Sequence, residues 1–139
     1  MTIRTSGPGL IIHQPLSSDL LLEHAHGTMT SAGAGAWETV VTTDVTLNGI
    51  QDVHVTAAFS ATTATGAAAA YDATFRILID GVASDEFPRT LSGSDDKGLG
   101  AALAHAPNKQ GTITIELQIQ DDASHTVEVL AGEMHIFAR

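Results

Sequence analysis

Apolar and polar residues alternate without a break from Thr112 to Gln120. In an extended chain Ile113, Ile115, Leu117 and Ile119 take one side, and Thr112, Thr114, Glu116, Gln118 and Gln120 the other, so the pattern predicts a strand with one buried and one wet face. A helix would scatter those four aliphatics around its circumference. The same period runs through Tyr71 to Asp80, where Tyr71, Ala73, Phe75, Ile77 and Ile79 share a face and Leu78 interrupts the polar side. Trp37 to Leu47 is a third strand, with Thr39, Val41, Thr43, Val45 and Leu47 together. Asp52 to Phe59 is a fourth, with Val53, Val55, Ala57 and Phe59 inward. Asn48-Gly49 lies between these two, and both residues tolerate positive φ, which predicts a hairpin. Asp80-Gly81 is a second turn, and Val82 to Leu91 returns as a partner strand that Pro88 confines to an edge or a bend. Asp121 to Ser124 turns the chain, and Thr126–Leu130 and Glu133–Phe137 end it as two strands around Ala131-Gly132.

Loops are expected at 61–70, 92–98 and 106–111, and the short stretch 99–105 has no assignment. The result is about eight strands with turns every 8–12 residues, the spacing of an all-β sandwich or barrel. The expected fold is an all-β, jelly-roll-like antiparallel β-sandwich with an N-terminal arm. The long connections near 60–70 and 92–111 would serve as crossovers between two sheets. An immunoglobulin-like sandwich is the alternative, without its Cys-Trp-Cys signature, and folds that need βα alternation are excluded. Residues 1–35 read as an arm and linker, and 36–139 as the sandwich domain. Within the arm, Leu20-Leu21-Leu22-Glu23-His24 fits either a capped helical turn or a short strand, and Ser31 to Ala36 reads as a flexible joint.

Composition sharpens this picture. Aromatics are only 4% of the chain, so the core must come from Val, Ile, Leu and Ala. Cysteine is absent, which removes disulfides and thiolate metal sites. The formal charge of −10 repels phosphate backbones and anionic lipid, so neither nucleic acid nor membrane is an expected partner. The first residues lack the basic and apolar regions of a secretory signal, so synthesis in the cytoplasm is expected.

Candidate chemistry is sparse. His24-Ala25-His26 places two imidazoles on one face of an extended segment, and a third ligand such as His54 or His135 could complete a zinc site. The competing reading is surface histidines on the arm, and an isolated H-x-H without H-E-x-x-H assigns no metal. Asp95-Asp96 and Asp121-Asp122 could hold calcium, but they lack an EF-hand frame and read as solvated turn residues. Nothing selects a catalytic pair from Asp80, Asp85 and Glu86, and no nucleophile elbow or phosphate loop is present. Expected catalytic, cofactor-binding and metal-binding residues are therefore none. The candidate interface residues are Leu10, Ile11, Ile12, Leu20, Leu21 and Leu22 on the arm, together with Arg76. Arg76 sits on the polar face of its strand, placed either to pair with Asp72, Asp80 or Glu116 or to face a subunit interface.

Phe75-Arg76-Ile77-Leu78-Ile79-Asp80-Gly81 is followed by Gly111-Thr112-Ile113-Thr114-Ile115-Glu116-Leu117-Gln118-Ile119 and then by His125-Thr126-Val127-Glu128-Val129. Over residues 37–139 this order resembles the small jelly-roll virion proteins of tailed bacteriophages. The resemblance implies a capsid decoration or cement protein, homotrimeric, bound to the major capsid protein on the outside of the head and stabilising it, with no enzymatic activity. A carbohydrate- or receptor-binding β-sandwich module of tail, baseplate or adhesin type is the alternative. The alanine run 67–70 would suit close packing at a symmetry axis.

Overall fold

The computed structural model describes residues 20–63, 71–91 and 98–139. The candidate interface residues Leu10, Ile11 and Ile12, the pair Asp95-Asp96 and the alanine run 67–70 lie outside the described residues. Among the described residues nine strands form: β1 (Leu20–Thr30), β2 (Trp37–Thr46), β3 (Gln51–Thr63), β4 (Tyr71–Ile79), β5 (Val82–Ala83), β6 (Phe87–Leu91), β7 (Gly98–Lys109), β8 (Thr112–Gln120) and β9 (Val127–Ala138). No helix among the described residues is long and apolar enough to cross a membrane.

Two antiparallel sheets face each other. One has the order β1-β9-β3-β7; the other runs β2-β8-β4-β5, with β6 also paired to β4. If β5 and β6 count as halves of one strand, each sheet has four strands. Every connection then crosses between sheets except the turn after β4. That is the double-sheet jelly roll, as the sequence predicts. The β4–β5 turn carries positive φ at both Asp80 (54°) and Gly81 (82°), the geometry that suits a two-residue hairpin.

The core lies between the sheets. Ile113, Ile115, Leu117 and Ile119 of β8 are buried, as are Ala73, Phe75, Ile77 and Ile79 of β4. From the facing sheet come Val53, Val55, Ala57 and Phe59 of β3 and Val127, Val129, Met134 and Ile136 of β9. Phe59 and Phe75 stack across the interior with centroids 3.5 Å apart. Each fully buried aliphatic or Phe contributes roughly 1.5–3 kcal/mol before ordering costs.

Several boundaries differ from expectation. The hairpin of β2 with β3 does not form: β2 pairs with β8, while β3 pairs with β7 and β9. Asn48-Gly49 reverses the chain but delivers it to the other sheet. Within the segment read as an arm and linker, β1 joins the domain's own sheet beside β9. Its inward positions are Leu22, Ala25, Gly27 and Met29, so small residues hide the period. A Cβ at Gly27 would meet the carbonyl oxygen of Val40 at 2.7 Å, so the close approach of β1 to β2 requires glycine there. The two expected closing strands are one. Ser60 faces Ala131 and Ala61 faces Val129, so the residue between, Leu130, is a bulge that bends β9 without ending it. β7 runs through both the unassigned stretch and the expected loop after it, and β3 continues to Thr63.

Candidate interaction face

The two outer faces of the sandwich have different chemistry. On the β2-β8-β4 side, threonines and acids are joined by side-chain hydrogen bonds. Thr114 Oγ1 donates to Asp44 at 2.6 Å, and Thr39 Oγ1 to Glu116 at 2.9 Å. Arg76 lies here. Its guanidinium sits 4.0 Å from the centre of the Trp37 ring, and its Nε donates to Gln118 at 3.0 Å. Of the two alternatives for Arg76, an ion pair with Asp72, Asp80 or Glu116 is not among the contacts of the described residues; Asp80 is 3.7 Å from the Lys109 ammonium. A cation stacked on an indole and fixed by an amide is a stable surface group.

The outer face of β1-β9-β3-β7 collects histidines and leucines. Strand register sets them in rows. Leu21, Phe137, His54 and His105 lie across one row, and His24, His135, Thr56 and Leu103 across the next. His26, Glu133, Ala58 and Ala101 follow, then Ala131, Ser60 and Leu99. Five of the seven histidines stand in these rows. Apart from them, Glu133 is the one ionisable side chain there, on a chain of net charge −10. His24 stacks on His135 (4.3 Å) and His54 on His105 (4.4 Å). Nε2 of His54 is buried and has no hydrogen-bond partner among the described residues. Shallow depressions lie beside His54, Leu103 and His105, and beside Ser60, Leu99 and Glu133.

β7 explains the apolar part of this face. It reverses the usual strand pattern, with small residues inward and large ones outward. Ala102 is buried, whereas Leu99 and Leu103 are 67% and 62% exposed. The inward side has no room for more: a Cβ on Gly100 would lie 2.4 Å from the Phe59 ring. β7 is also the edge of its sheet, where exposed apolar residues favour association. The sequence carries this signal as Leu99-x-x-x-Leu103 interleaved with Gly98, Gly100, Ala102 and Ala104, a period that reads as ambiguous because the apolar set is on the wrong side. Of the candidate interface residues, Leu20 and Leu21 are exposed on β1, 67% and 55%, and Leu22 packs against the core.

At one end of the sandwich, Asp121 ties the β1–β2 and β8–β9 connections together. Its buried carboxylate accepts hydrogen bonds from Ser31 Oγ (2.5 Å) and from the N–H groups of Gly35 (2.7 Å), Gly33 (2.8 Å) and Ala123 (3.1 Å). Burial pushes this carboxyl up, but the Ser31 hydroxyl and the three N–H groups outweigh it and hold it below the ordinary value. Asp122 accepts from the N–H groups of Ser124 and His125 and contacts the His125 ring at 2.7 Å. Both acids expected as solvated turn residues or calcium ligands thus organise loop backbone, and Asp121 is buried.

No family model matches the chain, and no curated protein matches it. Among solved structures, it is similar to dimeric latent PorU of Porphyromonas gingivalis at 11% identity and a TM-score of 0.46. The match covers 96% of this chain and 15% of that one. It is also similar to an exo-β-1,3-galactanase of Phanerochaete chrysosporium at 12% identity and a TM-score of 0.32, covering 97% of this chain and 35% of that one. The chain therefore spans well under half the length of either.

Proposed function

We propose that the protein is a structural subunit of a virion: a jelly-roll decoration protein that self-associates as a trimer and docks on the major capsid protein at the outer surface of the head. The observation that carries this reading is the outward display of Leu99 and Leu103 from an edge strand, in rows of the face where Glu133 is the one carboxylate. On a chain of net charge −10, two copies meet less repulsion at the β7 leucines than across a carboxylate-bearing surface. Burying its leucines between copies contributes roughly 1.5–3 kcal/mol each, which favours a second copy as the occupant. Closed cyclic symmetry then gives each subunit an equal docking surface. The resemblance of residues 75–81 and 111–129 to phage virion proteins supports the same reading, and the jelly-roll order is compatible with it. In this role the protein binds and carries out no reaction.

The test is native mass spectrometry of the full chain beside a Leu99→Glu/Leu103→Glu variant. The wild type is expected at three times the chain mass and the variant as monomer, because two new charges would have to be desolvated at the contact. A monomeric wild type that binds glycans would instead favour the carbohydrate-binding alternative.

A further inference from the structure

His24-Ala25-His26 and Glu133-Met134-His135 lie side by side on adjacent antiparallel strands. Register sets His24 opposite His135 and His26 opposite Glu133. Four side chains therefore stand at the corners of a rectangle on the outer face, while Ala25 and Met134 between them turn toward the core. The His24 and His135 rings are nearly parallel, 8° apart in plane. Oε1 of Glu133 is 3.2 Å from Nε2 of His24. Ligand atoms of His24, Glu133 and His135 all lie within 4.8 Å of one another. The His26 ring centre is 6.0 Å from that of His24.

We propose that these residues bind one divalent transition-metal ion, of which zinc is the best match. His24, His135 and Glu133 supply three ligands, with the fourth position left to His26 or a water. The donor set selects the ion class. Imidazole with one carboxylate suits zinc and its neighbours, whereas calcium and magnesium take oxygen shells. Tetrahedral zinc with ligands at about 2.0–2.1 Å sets its donor atoms about 3.3 Å apart. Binding would draw the donor atoms, within 4.8 Å of one another, onto the ion by rotating the two imidazoles out of their stack. The hydrogen-bonded ladder of β1 and β9 already holds the Cβ atoms in place, so binding requires little backbone ordering. The side chains of His24 and Glu133 are 47% and 45% exposed, so drawing them onto an ion disrupts no core contact. An H-x-H motif alone carries little weight; here a second strand brings a matching E-x-H into register with it. The site lies on β1 and β9, apart from the β7 leucines, and its loading is read per chain whatever the assembly state.

Untagged, chelator-treated full-length protein is titrated with zinc chloride by calorimetry, and cobalt(II) absorption reports the coordination geometry. The expected result is one ion per chain, with intense tetrahedral cobalt bands. His24→Ala, His135→Ala and the isosteric Glu133→Gln should each weaken binding. Loss of groups that merely support metal ligands costs about 10–100-fold in affinity, and loss of a ligand should cost no less. His105→Ala, in the other stacked pair, should bind like wild type. Three results would overturn the proposal: no saturable binding by the wild type, binding that survives the His24→Ala/His135→Ala double change, or equal loss in His105→Ala.

Discussion

Asp121 is the residue on which most local order depends. One carboxylate satisfies a hydroxyl and three N–H groups drawn from two connections. Hydrogen bonds to a charged acceptor are worth roughly 1.5–3 kcal/mol each, and an unsatisfied buried donor costs a similar amount. Asp121→Asn keeps the shape but removes the charge and one acceptor, so it should lower unfolding free energy by about 2 kcal/mol in urea titrations at pH 7. The sign of the pH effect follows from the depressed folded value of this carboxyl. Its contribution is fully present above pH ~4, the ordinary carboxylate range, and is lost as pH falls from there through the folded value. The gap between wild type and Asp121→Asn should therefore narrow at pH 3. A gap unchanged between pH 7 and pH 3 would show that the charge is irrelevant to the latch.

Strands were readable from sequence where one face is uniformly apolar. β8 and β4 satisfy that condition, and their alternation names Ile113, Ile115, Leu117, Ile119, Ala73, Phe75, Ile77 and Ile79, all of them buried. β7 does not, because its inward side chains are reduced to glycine and alanine beneath Phe59. The Phe59 ring cannot retreat, since it is stacked on Phe75. Gly100→Ala should accordingly destabilise by about 1–3 kcal/mol through overpacking, measurable as a lower thermal midpoint. Unchanged stability would mean that the ring moves freely. Over β1 the sequence fits a short strand or a helical turn, for a related reason: the inward set includes Ala25 and Gly27, and the outward set includes His24, His26, Thr28 and Thr30, so neither face looks apolar. The Asn48-Gly49 turn shows a different limit. A tight turn specifies that the chain reverses, not that the strands on either side pair; in a jelly roll the next strand can belong to the opposite sheet. The candidate site was legible only in part. His24, His26 and His135 were visible as metal-ligand types, but Glu133 joins them only through the β1–β9 register, which local sequence does not encode.

At the scale of the whole molecule, two sheets share one core and present two unlike surfaces. The β2-β8-β4 surface is polar, with Thr39, Thr114, Asp44, Glu116 and Arg76 engaged in contacts within the chain. The β1-β9-β3-β7 surface shows leucines at its β7 edge and histidines across its middle. This asymmetry is the basis for the proposal that the protein is an assembly subunit, and under that proposal the contact with another copy lies on β7. Amide hydrogen exchange of the full-length chain, followed strand by strand at micromolar and at near-millimolar concentration, tests that placement directly. Amides of an edge strand exchange by local opening and are protected when a partner covers them. The expected result is slower exchange at high concentration confined to β7 and its neighbour β3, with β2 and β8 unchanged. Exchange in β7 that does not depend on concentration, or protection that appears on the β2-β8-β4 sheet instead, would contradict the account.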